Sequence, residues 1–192
     1  AIAQGRTGVG PITYFDASQH ATQFAAEVKG FSPNACMTSK EARRLDPFVH
    51  YAASAAQQAI ADDSMEAFSA LDRTRVAVLI GSGIGGIKTL SEQCALLEAK
   101  GPRSISPFFI PAAIINMAGG WIATKWGYTG PNFGLASACA TGNHAIGEAA
   151  AMLDEPVGKR RLAVIDVRDN RKVANVFHDW AASIAEIASR SR

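Results

Sequence analysis

Apolar and polar positions follow two different periods along this chain, and each change of period marks an element. Arg75-Val76-Ala77-Val78-Leu79-Ile80 is a continuous apolar run rich in β-branched residues, the pattern of a buried strand. The glycines from Gly81 to Gly86 end it, and Ile87 to Ala99 resumes as a helix. Upstream, Lys40 to Asp62 carries an Ala-rich face and predicts one helix with Ser39 as its N-cap. Downstream, the pattern predicts a loop around Pro107 to Pro111, a core helix near Ile114 to Lys125 and a turn at Gly127 to Pro131. Phe133 to Ser137 reads as a short strand running into Cys139, and Ala145 to Leu153 as a helix of small and apolar residues. After Pro156 and Gly158 the character changes: Leu162 to Val167 predicts another strand. Val173, Val176, Phe177, Trp180, Ile184 and Ile187 then follow helical spacing. Residues 1–30, rich in Gly, Ser, Thr and Gln, predict loops and short irregular pieces. Strand and helix alternate, so the class is α/β.

Composition narrows the function classes. The 192 residues suffice for one domain with a real core, and 48% hydrophobic with 19% charged residues is globular usage. A formal net charge of +2 is too small to imply a nucleic-acid partner, and the run Lys159-Arg160-Arg161 reads as a solvated turn. Cys36, Cys94 and Cys139 lie far apart without a CxxC pair, which argues against a disulfide framework and a zinc site. A reducing interior of a cell or organelle is the expected setting. The absence of an initiator Met or a leader raises the expectation of a processed start, or of a sequence beginning inside a gene product. Ser104 to Thr124 is uncharged and long enough to span a bilayer. Pro107, Pro111, Asn116, Gly119 and Gly120 interrupt it, so a buried segment is expected and not a membrane helix.

The candidate chemistry centres on Ser137-Ala138-Cys139-Ala140-Thr141-Gly142. A strand ends, a sharp turn of small residues follows, and a helix begins with a cysteine at its mouth. Free amides at a helix N-terminus favour negative charge, and hence the nucleophilic thiolate. The same amides can donate to an oxyanion when the thiolate attacks a carbonyl. The competing reading is a buried, inert cysteine. Four histidines stand as candidate bases: His20, His50, His144 and His178. His144 follows Cys139 by five residues, an offset that points it away from the thiol on a helix and predicts a packing role. Gly81-Ser82-Gly83-Ile84-Gly85-Gly86 satisfies G-x-G-x-x-G after a strand and before a helix, the order of a dinucleotide site. Such a site wants an acidic residue ending a second strand about 20 residues on. Glu98 lies instead within a helical stretch, which favours a tight turn where backbones approach closely.

Several blocks, in order, resemble the β-ketoacyl-[acyl carrier protein] synthases of the KAS I/II type, within the thiolase superfamily. They include Gly10-Pro11-Ile12-Thr13, Glu41-Ala42-Arg43-Arg44-Leu45-Asp46 and Ile80-Gly81-Ser82-Gly83-Ile84-Gly85-Gly86. Ser106-Pro107-Phe108-Phe109-Ile110-Pro111, Ile115-Asn116-Met117-Ala118, Gly130-Pro131-Asn132 and Ala138-Cys139-Ala140-Thr141-Gly142 continue the match. The likeness runs from about Ala3 to Leu153, and the last block is highly specific. It implies a thiolase-like fold of layered αβαβα architecture, of which this chain holds the N-terminal half without its first strand. It implies domain 1–153, followed by a divergent tail at 154–192 with a strand and a helix. Cys139 is implied as nucleophile, its backbone N–H as one oxyanion donor, and Ile84 and Phe109 as residues lining or gating the acyl pocket, Phe109 near a dimer boundary. No metal or organic cofactor is implied.

The implied partners are acyl and malonyl thioesters of acyl carrier protein, with a homodimer or a dimer with a complete synthase. Neither nucleic acid nor membrane is expected, and the location is the bacterial cytoplasm or a plastid. The family's catalytic histidines, its lysine and its second oxyanion donor belong to a C-terminal half. His144, His178 and Lys172 lack that half's His-Gly-Thr-Gly-Thr context and cannot take those places. A fragment or altered gene product, with weak or absent condensation by itself, is therefore expected. Two other readings compete: a non-catalytic partner binding a complete synthase through Ile114 to Lys125, and a nucleotide-binding module.

Overall fold

The structure, a computed structural model, describes residues 4–62, 72–154 and 161–166. The chain forms two compact units that divide at Ser32 and Pro33. In the first, β1 (Gly10–Pro11) pairs antiparallel with β2 (Phe24–Ala25). The Glu27 carboxylate accepts the Thr13 N–H at 2.8 Å, the Thr13 hydroxyl at 2.7 Å and the Tyr14 N–H at 3.1 Å, tying the two arms of this hairpin-like piece together.

The second unit is built on a three-stranded parallel sheet. Its middle strand β3 (Val76–Gly81) lies between β4 (Asn132–Leu135) and β5 (Arg161–Asp166), with Leu79 opposite both Phe133 and Val164. The apolar run predicted as a buried strand is β3, and all six of its residues are buried. Side chains on a strand alternate between faces, so β3 serves two cores at once. Val76, Val78 and Ile80 pack with Val49, Ala52 and Ala56 of α2 (Pro47–Asp62), and with Ala118 and Ile122 of α5 (Met117–Trp126). Ala77 and Leu79 face the other way, against Ala149 of α6 (Thr141–Asp154), with Phe133, Leu135 and Met152 around them. Helix, sheet and helix thus form three layers.

The helix expected over Lys40 to Asp62 is two helices. The first, α1 (Ser39–Ala42), is capped by Thr38 and not by Ser39: the Thr38 hydroxyl accepts the Glu41 N–H, and the Glu41 carboxylate accepts the Thr38 N–H. A new helix starts at Pro47 because proline lacks an N–H and steers the preceding residue away from helical backbone. Asp46 is 3% exposed and fully engaged: one oxygen accepts the Phe48 N–H at 3.2 Å, the other the Thr89 N–H and hydroxyl, each at 2.8 Å. It joins the start of α2 to α3 (Ile87–Lys100). Asp46→Ala strands those buried donors and is expected to lower the unfolding free energy by about 2 kcal/mol, read from the shift of the urea midpoint.

His50 is half-buried on α2 with Nε2 3.0 Å from the Ala42 carbonyl oxygen. Burial holds its pKa below the usual imidazole value. The unfolded chain therefore binds a proton that the folded chain resists, so stability is expected to fall as pH drops through about 6.5. His50→Gln should make that decline shallower in urea titrations between about pH 7.5 and 5.

Four further boundaries differ from expectation. The loop predicted at Pro107 to Pro111 runs into a short helix, α4 (Phe109–Ala113), that accommodates Pro111 in its first turn, where an N–H has no intrahelical partner. Ile114 is extended, so α5 begins at Met117 instead of Ile114. The strand expected to reach Ser137 ends at Leu135, and the following helix starts at Thr141 rather than Ala145. The strand expected at Leu162 to Val167 is β5, paired with β3 along its whole length. The helix expected beyond Val173 lies outside the described residues. Among the described residues, no helix is long and apolar enough to cross a membrane.

Candidate active site

Cys139 sits where β4 hands over to α6. After Leu135 the chain turns through Ser137 (φ −146°) and Ala138 (φ 48°), and Ala138–Ala140 form a single 3₁₀ turn before α6. Ala138 is the one described non-glycine residue with positive φ. That backbone costs a side-chain-bearing residue about 1–2 kcal/mol, so the surroundings must hold it. Thr141, 2% exposed, does so: its Oγ1 accepts the Ser137 N–H at 2.8 Å and its hydroxyl donates to the Ala138 carbonyl at 2.7 Å. The Ala140 N–H donates to the Ser137 carbonyl at 3.0 Å. The turn is closed from both ends, and Cys139 is exposed at its apex, at the mouth of a 14-residue helix. The inert, buried fate fits Cys36 instead, whose thiol burial pushes to a higher pKa.

The glycine loop at 81–86 packs beside this turn. The Ser82 N–H donates to the Leu135 carbonyl at 3.0 Å, and a Cβ on Gly83 would lie 3.5 Å from the Ala138 carbonyl oxygen. A Cβ on Gly81 would fall 2.7 Å from the Thr141 methyl, so only glycine lets β3 approach the start of α6. At Gly85 (φ 78°) and Gly86, a Cβ would meet the Ala113 and Ala112 carbonyl oxygens at 2.5 Å. The Gly85 N–H is taken by the Ser82 hydroxyl at 2.9 Å and the Gly86 N–H by the Ala113 carbonyl at 2.9 Å. The chain's own backbone thus fills the cradle that a pyrophosphate would need. Glu98 lies on α3, not at the end of a strand. The G-x-G-x-x-G pattern serves close packing, and the nucleotide-binding reading loses its footing.

The other candidate residues lie on the segments that pack around this loop. Ile84, 68% exposed, stands in the loop that touches the cysteine turn. Phe109 is half-buried at the start of α4, whose far end, Ala112 and Ala113, lies against Gly85 and Gly86. The preceding loop is anchored: the Ser106 N–H donates to Gln93 at 2.7 Å, and the Arg44 guanidinium lies 4.3 Å from the centre of the Phe108 ring.

The histidines divide. His20 stacks edge-on against Phe15, and His50 is engaged with Ala42. His178 and Lys172 lie outside the described residues. His144 departs from its expected packing role: it is exposed, with Nδ1 3.2 Å from the Ser137 hydroxyl and Nε2 3.4 Å from the Glu148 carboxylate. The extended turn lets Ser137 double back over the first turn of α6, which the five-residue offset from Cys139 did not reveal. The His144–Glu148 spacing of four was a readable signal for the pair.

A description of the beta-ketoacyl synthase N-terminal domain matches residues 1–156. The chain is 47% identical over 153 residues to 3-oxoacyl-[acyl-carrier-protein] synthase 2 of Coxiella burnetii, covering 80% of this chain and 37% of that protein. It is 45% identical over 161 residues to the synthase 2 of Synechocystis, covering 84% of this chain and 38% of that one. The chloroplastic synthase I of Hordeum vulgare is 41% identical over 153 residues, covering 78% and 33%. The chain thus spans well under half the length of these relatives. Among solved structures, the ishigamide ketosynthase/chain length factor superposes with a TM-score of 0.71 at 21% identity, covering 92% of this chain and 44% of that one. A beta-ketoacyl synthase from Burkholderia phymatum gives 0.65 at 23%, covering 78% and 37%. At these identities the structural likeness shows the fold: part of the thiolase-like ketosynthase architecture. With the family description matching most of its length, the chain belongs to the beta-ketoacyl synthases and carries their N-terminal domain.

Proposed function

We propose that this chain is the nucleophile-bearing part of a 3-oxoacyl-[acyl-carrier-protein] synthase of fatty-acid elongation. The observation that carries the reading is Cys139, exposed at the mouth of α6 on a turn whose strained backbone is hydrogen-bonded into place. The Cys139 sulfur attacks the carbonyl of an acyl thioester on acyl carrier protein. The new S–C bond forms as the bond to the carrier's sulfur breaks, and the carrier leaves as its thiol. The Cys139 N–H donates to the oxyanion during this step. In the whole protein, malonyl-carrier protein loses CO₂ and its carbanion attacks the acyl-Cys139 carbonyl. A C–C bond forms, the S–C bond breaks, and 3-oxoacyl-carrier protein departs.

Ile84 and Phe109 border the acyl chain in this reading. The positions of Ile84 beside the cysteine turn, and of Phe109 on the helix backing the glycine loop, support it. Exposed apolar residues on α3 (Ile87, Leu90, Leu97), in α4 (Ile110) and just after it (Ile114) support a covering subunit, either a second copy or a complete synthase. The relatives' occurrence in bacteria and chloroplasts supports the bacterial cytoplasm or a plastid as the site of action. Domain 1–153 with a divergent tail at 154–192 is retained as the proposed division.

The test is to mix the 192-residue chain with an acyl carrier protein thioester and follow its intact mass. A gain of one acyl group, with release of one carrier thiol, is expected. No adduct at saturating thioester would overturn the acyl-accepting role and leave the non-catalytic partner reading, for which size-exclusion mixing with a complete synthase is the measurement.

A further inference from the structure

We infer that His144 is a positioning residue for Cys139, acting through Ser137; the inference rests on Cys139 being the nucleophile. The backbone from Ser137 to Thr141 holds the thiol in place only while Ala138 stays at φ 48°, a conformation that alanine disfavours. Thr141 clamps this turn from inside, at the Ser137 N–H and the Ala138 carbonyl. On the outer side, Ser137 is exposed, and its hydroxyl lies 3.2 Å from His144 Nδ1. That bond spans seven residues and ties the entry of the turn to the first turn of α6.

The ring has a definite orientation. Nε2 faces Glu148 Oε1 at 3.4 Å, and a carboxylate only accepts. The proton of the neutral ring therefore belongs on Nε2, leaving Nδ1 to accept from the Ser137 hydroxyl. Glu148 sets the tautomer, His144 holds Ser137, and Ser137 restrains the turn that carries Cys139. His144 meets the Ser137 hydroxyl and the Glu148 carboxylate, so it works on Cys139 through the geometry of Ser137. Without the tether, the Thr141 contacts alone resist relaxation of Ala138 toward ordinary φ, and the sulfur is held less firmly at the start of α6.

The expected result is a roughly fivefold slower alkylation of Cys139 by iodoacetamide in His144→Leu, the worth of one hydrogen bond. Rates are read peptide by peptide in the full chain, with exposed Cys94 as the surface control and buried Cys36 as the monitor of folding. His144→Asn, which keeps a hydrogen-bonding atom near the Nδ1 position, should restore most of the rate. His144→Gln, which keeps one only near Nε2, should not. Ser137→Ala should slow Cys139 equally, and the double variant Ser137→Ala/His144→Leu no further. Equal Cys139 rates in wild type and His144→Leu, equal rescue by Asn and Gln, or additive losses in the double variant would each overturn the inference. If Cys36 becomes reactive in His144→Leu, the decision passes to Ser137→Ala, where an unchanged rate overturns it. Because iodoacetamide reads the thiol without carrier protein, failure of acyl transfer and failure of positioning give different results.

Discussion

Cys139→Ala is expected to abolish acyl uptake, leaving less than about a thousandth of the wild-type rate, because no other group stands at the apex of the turn to form the covalent bond. The variant also isolates the nucleophile from the fold. Cys139 is exposed, and alanine is a surface substitution there, so truncation should shift the denaturation midpoint little. Cys139→Ser is expected to lose nearly as much, about a hundredfold or more, since a hydroxyl is far less ionised and far less nucleophilic than a thiol at neutral pH. Intact-protein mass spectrometry after mixing with an acyl carrier protein thioester reads both variants. An acyl group persisting on Cys139→Ala, mapped by peptide to Cys94 or to a serine, would remove Cys139 from the reaction.

Gly85→Ala is expected to be the most destabilising of the conservative substitutions considered, by about 3 kcal/mol or more. Two costs combine. Gly85 has φ 78°, where an L side chain is strained, and its added Cβ would lie 2.5 Å from the Ala113 carbonyl oxygen and 3.0 Å from an Ile115 methyl. A backbone oxygen cannot rotate aside, so α4 must move away from the glycine loop. Gly127→Ala supplies the comparison. Gly127 also has positive φ (71°), but its Cβ would meet the tip of Arg73, a flexible side chain that can swing away. That variant should cost only the backbone term, about 1 kcal/mol. Urea denaturation of the two separates strain from packing, and equal midpoints would show that the α4 contact is soft. The position also bears on function: moving α4 shifts Ile84 and Phe109 relative to the cysteine turn, so acyl uptake should slow more in Gly85→Ala than in Gly127→Ala.

The elements whose signals are local were legible in the residue pattern. β3 was readable because six consecutive apolar residues between breakers leave few alternatives, and Cys139 was readable as a helix-mouth residue because small residues surround it between two periodic stretches. Even the misjudged break in the first long helix had a local signal in Asp46-Pro47, outweighed by the Ala-rich pattern on either side. The early start of α6 is different. Glycine and asparagine at 142 and 143 have modest helix propensity, and it is the Thr141 clamp on the turn that launches the helix there.

By itself the amino-acid sequence determined the α/β class, the central strand, the nucleophile's place at a strand-to-helix junction, and the family blocks around it. Only the tertiary structure decided that the glycine motif packs on α4 instead of cradling a phosphate, that Asp46 joins α2 to α3 through Thr89, and that His144 turns outward to Ser137. The physical reason is range. Periodicity and turn chemistry act over a few neighbouring residues, whereas a carbonyl 2.5 Å from an absent Cβ, or an N–H and a hydroxyl donating to a carboxylate 43 residues away, exists only once distant segments are brought together.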